Sequence, residues 1–229
     1  MKRIVKRVLS VSLISVTLCL ASCGNNGNAP SQTDNMASPS VPSAPTPEVP
    51  NPDTTLNKIK FKLDGETEAF SFKFKPDGAK LVDARDAEMA RLTVDETQKI
   101  KIKNPADEAI GYVVSEKGYW KIKNADQTQE LYVLRRQTDG DYKLETGSDR
   151  QIYRIKKRDY GYEIETPDKQ SLYKVKLKNG KLSLRNANEE TVLYTKDDFL
   201  PIALASFGFD ELTREQQAAL AYAVYLSGG

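Results

Sequence analysis

From about residue 56 onward, apolar and charged residues change places along this chain with a period of two. In Gly161-Tyr162-Glu163-Ile164-Glu165 and Lys174-Val175-Lys176-Leu177-Lys178 the alternation is that of a strand with one buried face. The runs Ile59–Leu63, Phe70–Phe74 and Lys99–Lys103 behave alike. Tyr153, Ile155, Tyr162, Ile164, Tyr173, Val175, Leu182 and Leu184 are therefore expected to point inward.

A longer period overlies the short one. Leu131-Tyr132-Val133-Leu134, Ile152-Tyr153-Arg154-Ile155, Leu172-Tyr173-Lys174-Val175 and Leu193-Tyr194 put tyrosines 21, 20 and 21 residues apart, and Tyr112 extends the series back by 20. Turn residues fall between these marks: Asp77-Gly78, Lys117-Gly118, Asp139-Gly140, Tyr160-Gly161 and Asn179-Gly180. Asp-Gly and Asn-Gly tolerate the positive φ of tight hairpin turns, so each repeat predicts one β-hairpin. About twelve strands with no helix between them predict a mainly β antiparallel meander.

The C-terminal end departs from this pattern. Phe199 to Phe207 reads as a short helix with Pro201 in its first turn and Gly208 at its end. Thr213-Arg214-Glu215-Gln216 has the spacing of a capping box, opening a helix through Ala218–Leu226 that is apolar on every side. A helix of about 13 residues rises only about 20 Å, too little to cross a bilayer. It is expected to be enclosed by protein, and its alanines keep it thin enough to thread a closed sheet, so the fold predicted for residues 56–229 is a barrel around a buried C-terminal helix.

The N-terminal end carries an address. Lys2, Arg3, Lys6 and Arg7 precede an apolar run from Val8 to Leu20 and a small-residue exit at Ala21-Ser22, the three parts of an export signal over residues 1–22. Leu20-Ala21-Ser22-Cys23 resembles the lipobox of bacterial lipoproteins. That resemblance implies a diacylglycerol on the Cys23 sulfur, cleavage before Cys23 and acylation of the new amino terminus. Its implied partner is the membrane, through the lipid anchor. Gly24 stands where many inner-membrane lipoproteins carry Asp, which favours the outer membrane facing the periplasm. Residues 23–55 hold seven of the eleven prolines among Ser and Asn, and read as a disordered tether with too little apolar area for a core.

Cleavage changes the charge and the available chemistry. Removing the four leader cations takes the 34 basic and 32 acidic residues to 30 and 32, a slightly acidic mature chain with no global attraction to nucleic acid. Cys19 leaves with the leader and Cys23 takes the lipid, so no disulfide and no thiol nucleophile remain. There is no histidine, which removes the usual general base, the commonest zinc ligand and the Ser-His-Asp arrangement. Calcium-loop spacing and glycine-rich phosphate loops are missing, and no cofactor or metal is expected. Carboxylate chemistry needs only two acids; Glu163 and Glu165 lie two apart on one strand, and are expected to be solvated surface among lysines.

A sheet of about twelve strands followed by a buried, alanine-rich helix resembles the tubby-like barrel group, which includes the plant LURP-one-related proteins and the phospholipid scramblases. The resemblance covers roughly Leu56 to Leu226, rests on architecture, and implies membrane association and, in some members, recognition of anionic headgroups. A second resemblance, to choline-binding repeats of about 20 residues, lacks an aromatic cage in each repeat, since Trp120 is the only tryptophan. On the outer face, Lys156, Lys174 and Lys176 head a stripe of cations, with Lys157, Arg158, Lys178 and Lys181, that can meet an anionic lipid or wall polymer. The expected function is a non-enzymatic envelope lipoprotein that binds a lipid, a polymer or a protein. The alternatives are a carboxylate-based envelope hydrolase and a structural spacer between membrane and wall.

Overall fold

A computed structural model of the protein describes residues 58–229. The leader, the tether and Cys23 lie outside the described residues. Fourteen strands follow one another: β1 (Lys58–Lys62), β2 (Glu68–Lys75), β3 (Gly78–Asp83), β4 (Glu88–Val94), β5 (Ile100–Lys103), β6 (Ala109–Glu116), β7 (Tyr119–Lys123), β8 (Glu130–Arg136), β9 (Tyr142–Thr146), β10 (Gln151–Arg158), β11 (Gly161–Glu165), β12 (Ser171–Lys178), β13 (Lys181–Asn186) and β14 (Thr191–Thr195). Each pairs antiparallel with the next, and β14 returns to β1 through Lys62↔Tyr194 to close a barrel. The strands number fourteen where the pattern suggested about twelve. β3 is one reason, because Leu81 and Val82 are adjacent and both buried, which blurs the alternation.

Hairpin turns alternate between the two ends of the barrel and include two kinds, the second of which recurs at Asp95–Lys99 on the first end. At one end Asn179 and Gly180 both have positive φ (51° and 71°), as a primed two-residue turn requires. Gly78 opens β3 where an added Cβ would lie 1.9 Å from the Leu92 carbonyl oxygen, so close backbone approach fixes glycine there. At the other end the turns open on Asp83, Asn104, Thr146, Thr166 and Asn186. In each, the opening residue's N–H donates to the carbonyl four residues on, and its own carbonyl accepts from the N–H three residues on. The residue at that third position has positive φ although it is not glycine: Asp86, Asp107, Asp149, Lys169 and Glu189. Opening side chains hold the turn, as when Asn186 Oδ1 accepts from the N–H groups of Asn188 and Glu190 at 3.0 Å each.

The tyrosine series divides between the two faces of the sheet. Tyr132, Tyr153 and Tyr173 stand opposite the buried Ile122, Leu144 and Ile164, so they face inward. Tyr112 and Tyr194 stand opposite Lys101 and Ser183, on the outer face. Spacing alone does not set the face: 21 residues keep it from Tyr132 to Tyr153 and reverse it from Tyr173 to Tyr194, because bulges and turns of differing length intervene.

Two helices fill the interior. α1 (Pro201–Ala205) continues into a 3-10 turn (Ser206–Gly208), and α2 (Arg214–Ser227) follows. α1 packs on β11, β12 and β13, and α2 on β4 to β7, so the two helices lie side by side between opposite walls. Ala203, Ala205, Ala218, Ala219, Ala221 and Ala223 are all buried, and their small side chains let the pair fit. Thr213 caps α2 in the expected box: its hydroxyl accepts from the Gln216 N–H, and the Gln216 side chain accepts from the Thr213 N–H. Gly228 closes the helix in the left-handed region at φ 78°.

Aromatic side chains join sheet to helices. The Phe61 ring meets Phe70, Phe199 and Phe207 at centroid distances of 4.9, 5.2 and 5.1 Å. The loop between the helices is held by the three inward tyrosines. Tyr132 donates to the Glu211 carbonyl at 3.0 Å, Tyr173 donates to Asp210 Oδ2 at 3.1 Å, and Tyr153 stacks on Phe209 at 5.7 Å. At the far end of α2, Trp120 Nε1 donates to Ser227 Oγ at 3.0 Å. The lone tryptophan is thus core, 2% exposed, and forms no surface cage.

Candidate functional site

The outer wall over β10 to β13 brings the stripe of cations together. Registers place Lys156 opposite Glu163, Glu163 opposite Lys174, and Lys174 opposite Arg185, so one row crosses four strands on the outward face. Lys176 stands two residues further along β12, opposite Ser183.

Each of the three sequence-predicted lysines carries a counterion. Lys174 Nζ and Lys176 Nζ each lie 2.6 Å from a different carboxylate oxygen of Glu189. Glu189 reaches them from the β13–β14 turn, where its backbone is left-handed at φ 64°. The hydrogen bonds from Lys174 and Lys176 hold its carboxyl down at about 2, and the same contact raises the Lys174 ammonium above its ordinary value. Lys156 pairs with Asp141, whose other oxygen accepts the Lys157 N–H at 2.8 Å. Burial alone raises the Asp141 carboxyl, but the hydrogen bonds from Lys156 and the Lys157 N–H prevail and lower it. An external anion meeting this row competes with carboxylates already in place. The bracketing Glu189 gave no sequence signal, because it lies 13 residues from Lys176 in the chain.

Glu163 and Glu165 are clamped rather than solvated. Glu163 accepts from Arg158 Nε at 2.9 Å and from Ser171 Oγ at 2.8 Å. Glu165 is only 7% exposed and accepts from Arg158 Nη2 at 3.0 Å. The expectation that both sit loose among lysines is corrected by the arginine, which folds back from the β10–β11 turn. Burial pushes the Glu163 carboxyl up, and the Ser171 and Arg158 hydrogen bonds outweigh it, leaving the group lowered and ionised. Such a carboxylate is a poor proton donor at neutral pH.

Other concavities offer less chemistry. A cleft of about 400 Å³ opens where the end of α2 (Ala223, Leu226, Ser227) meets the hairpins carrying Thr97 and Glu116. Its one carboxylate, Glu116, is paired with Lys121 at 3.2 Å, so this cleft lacks the two facing acids of a glycoside hydrolase. Among the described residues no three carboxylate, histidine or cysteine side chains converge as for a metal ion, and no helix is long and apolar enough to cross a membrane.

No protein-family model matches the chain, and no curated protein matches it. Among solved structures, the chain is similar to an X-ray structure of a protein from Arabidopsis thaliana, with 10% sequence identity, a TM-score of 0.37, and coverage of 66% of this chain and 86% of that one.

Proposed function

We propose that this protein is a non-enzymatic envelope lipoprotein, anchored through lipid on Cys23, whose barrel binds an anionic lipid or wall polymer by its outer surface. The observation that carries this reading is the filled interior: α1 and α2 occupy the barrel from the Asp210 loop to Ser227. A ligand therefore meets the molecule from outside, and the outer wall over β10 to β13 presents Lys156, Lys174 and Lys176 in one array. The tubby-like resemblance is consistent with this reading through the closed sheet around apolar helix. Fourteen strands and a second interior helix are departures from that group's pattern, and no functional residue is carried over from it.

The anchor is tested in cells of a bacterium expressing the full chain. Palmitate is expected to label the protein and the protein to fractionate with outer membranes, and Cys23→Ala is expected to abolish both. A wild-type protein that takes no label and is found free in the soluble fraction contradicts the reading.

A further inference from the structure

At the mouth of the barrel where α1 begins, the ends of β10 to β13 leave an apolar side chain uncovered. Leu177 follows the inward face of β12, opposite the buried Leu182, yet it is 56% exposed, the most exposed large apolar side chain among the described residues. It lines a cleft of about 310 Å³ with Tyr160, Tyr162 and Pro201. Beside it Lys178 and Lys181 face each other directly across the Asn179-Gly180 turn. A like-charge pair so placed weakens a hairpin. Neither lysine, nor Lys157 on the cleft wall, makes an ion pair among the described residues, in contrast to Lys156, Lys174 and Lys176.

We infer that this mouth, with Leu177 at its centre and Lys157, Lys178 and Lys181 around it, docks on an anionic lipid surface. The inference rests on the proposed reading and specifies its ligand. An aliphatic side chain beside tyrosines and cations, with Asp159 the one carboxylate lining the cleft, suits the boundary between headgroups and acyl chains: Leu177 enters the apolar layer, the tyrosine rings lie at its edge, and the ammonium groups meet phosphate. A hydroxyl-rich wall polymer satisfies the lysines but offers nothing to Leu177. Lys181 Nζ lies 3.8 Å from the Tyr194 ring centroid, but an external anion meets Lys157, Lys178 and Lys181 without a competing bound carboxylate.

The test uses the chain from residue 23 onward with Cys23→Ser, sedimented with vesicles of phosphatidylcholine alone or with phosphatidylglycerol, and separately with wall fragments. Binding to the anionic vesicles is expected to fall about ten-fold with Leu177→Asn and about ten-fold with Lys178→Gln and Lys181→Gln together. Leu177→Trp is expected to bind more tightly and to shift its emission to shorter wavelength with vesicles. Unchanged melting temperatures confirm that these exposed substitutions leave the barrel intact. Vesicle binding that none of the variants alters overturns the docking mouth and leaves the broader reading standing, as does binding to wall fragments alone. Binding to neither partner overturns both.

Discussion

Single residues decide how much of the outer wall is available. Glu189 brackets Lys174 and Lys176, so its replacement should free two ammonium groups without touching the core. Glu189→Gln is expected to raise binding to anionic vesicles several-fold at low salt, at about 1 kcal/mol per cation near a charged surface, read by sedimentation. Unchanged binding would remove this row from the recognition surface. The opposite extreme is Phe61, fully buried and in contact with four other aromatic rings. Phe61→Ala should cost about 3–5 kcal/mol, measured by denaturant unfolding, because the rings around it belong to both sheet and helices and cannot collapse together.

Elements explain both what could be read from the chain and what could not. Strand alternation, the paired glycine turns and the Thr213 box are local signals, and each appears where the sequence places it. The second turn class escaped because its left-handed position holds Asp, Lys or Glu, which carry no glycine signature; the regular signal was Asp, Asn or Thr three residues earlier. Lys169→Gly is a direct test: Lys169 is exposed with φ 67°, and relief of a left-handed side chain, about 1–2 kcal/mol, exceeds the entropy cost of glycine, about 0.5–1 kcal/mol. The variant should melt at a higher temperature, and one that melts lower would mean the side chain is held by something other than the turn. Thr213→Ala should cost about 1 kcal/mol by removing one half of the α2 cap. The ion pairs of the candidate site were beyond sequence reading for a different reason. Glu189, Asp141 and Arg158 reach their partners across strands, and the register that brings them there depends on turn lengths and bulges along the whole meander.

For the whole molecule, charge and topology set the conditions of stability. With no histidine or cysteine among residues 58–229, no side chain there titrates in its ordinary range between about pH 5 and pH 9. Asp95 and Glu189 are held at about 2, the first chiefly by the Thr97 hydroxyl and the second by Lys174 and Lys176. Their contribution is present above the unfolded carboxylate values of about 4 and is lost as pH falls through about 2. Burial raises Tyr153, Tyr162 and Tyr222 to about 12. The unfolded chain ionises its tyrosines near pH 10 while these stay neutral, so stability is full below about 10 and declines as pH rises toward 12. A plateau from about pH 5 to 9 with falls on both sides is therefore expected from melting temperatures, and a step near pH 6.5 would contradict it.

The central claim is that a barrel sealed by its own C-terminal helices recognises an anionic surface from outside. The most direct measurement is co-sedimentation of the chain from residue 23 onward, carrying Cys23→Ser, with phosphatidylglycerol vesicles and with wall fragments over a salt series. The account predicts saturable binding to at least one of them that weakens steadily with salt, as contacts to exposed lysines must. Absence of binding to both at the lowest salt, or binding indifferent to salt, would contradict it.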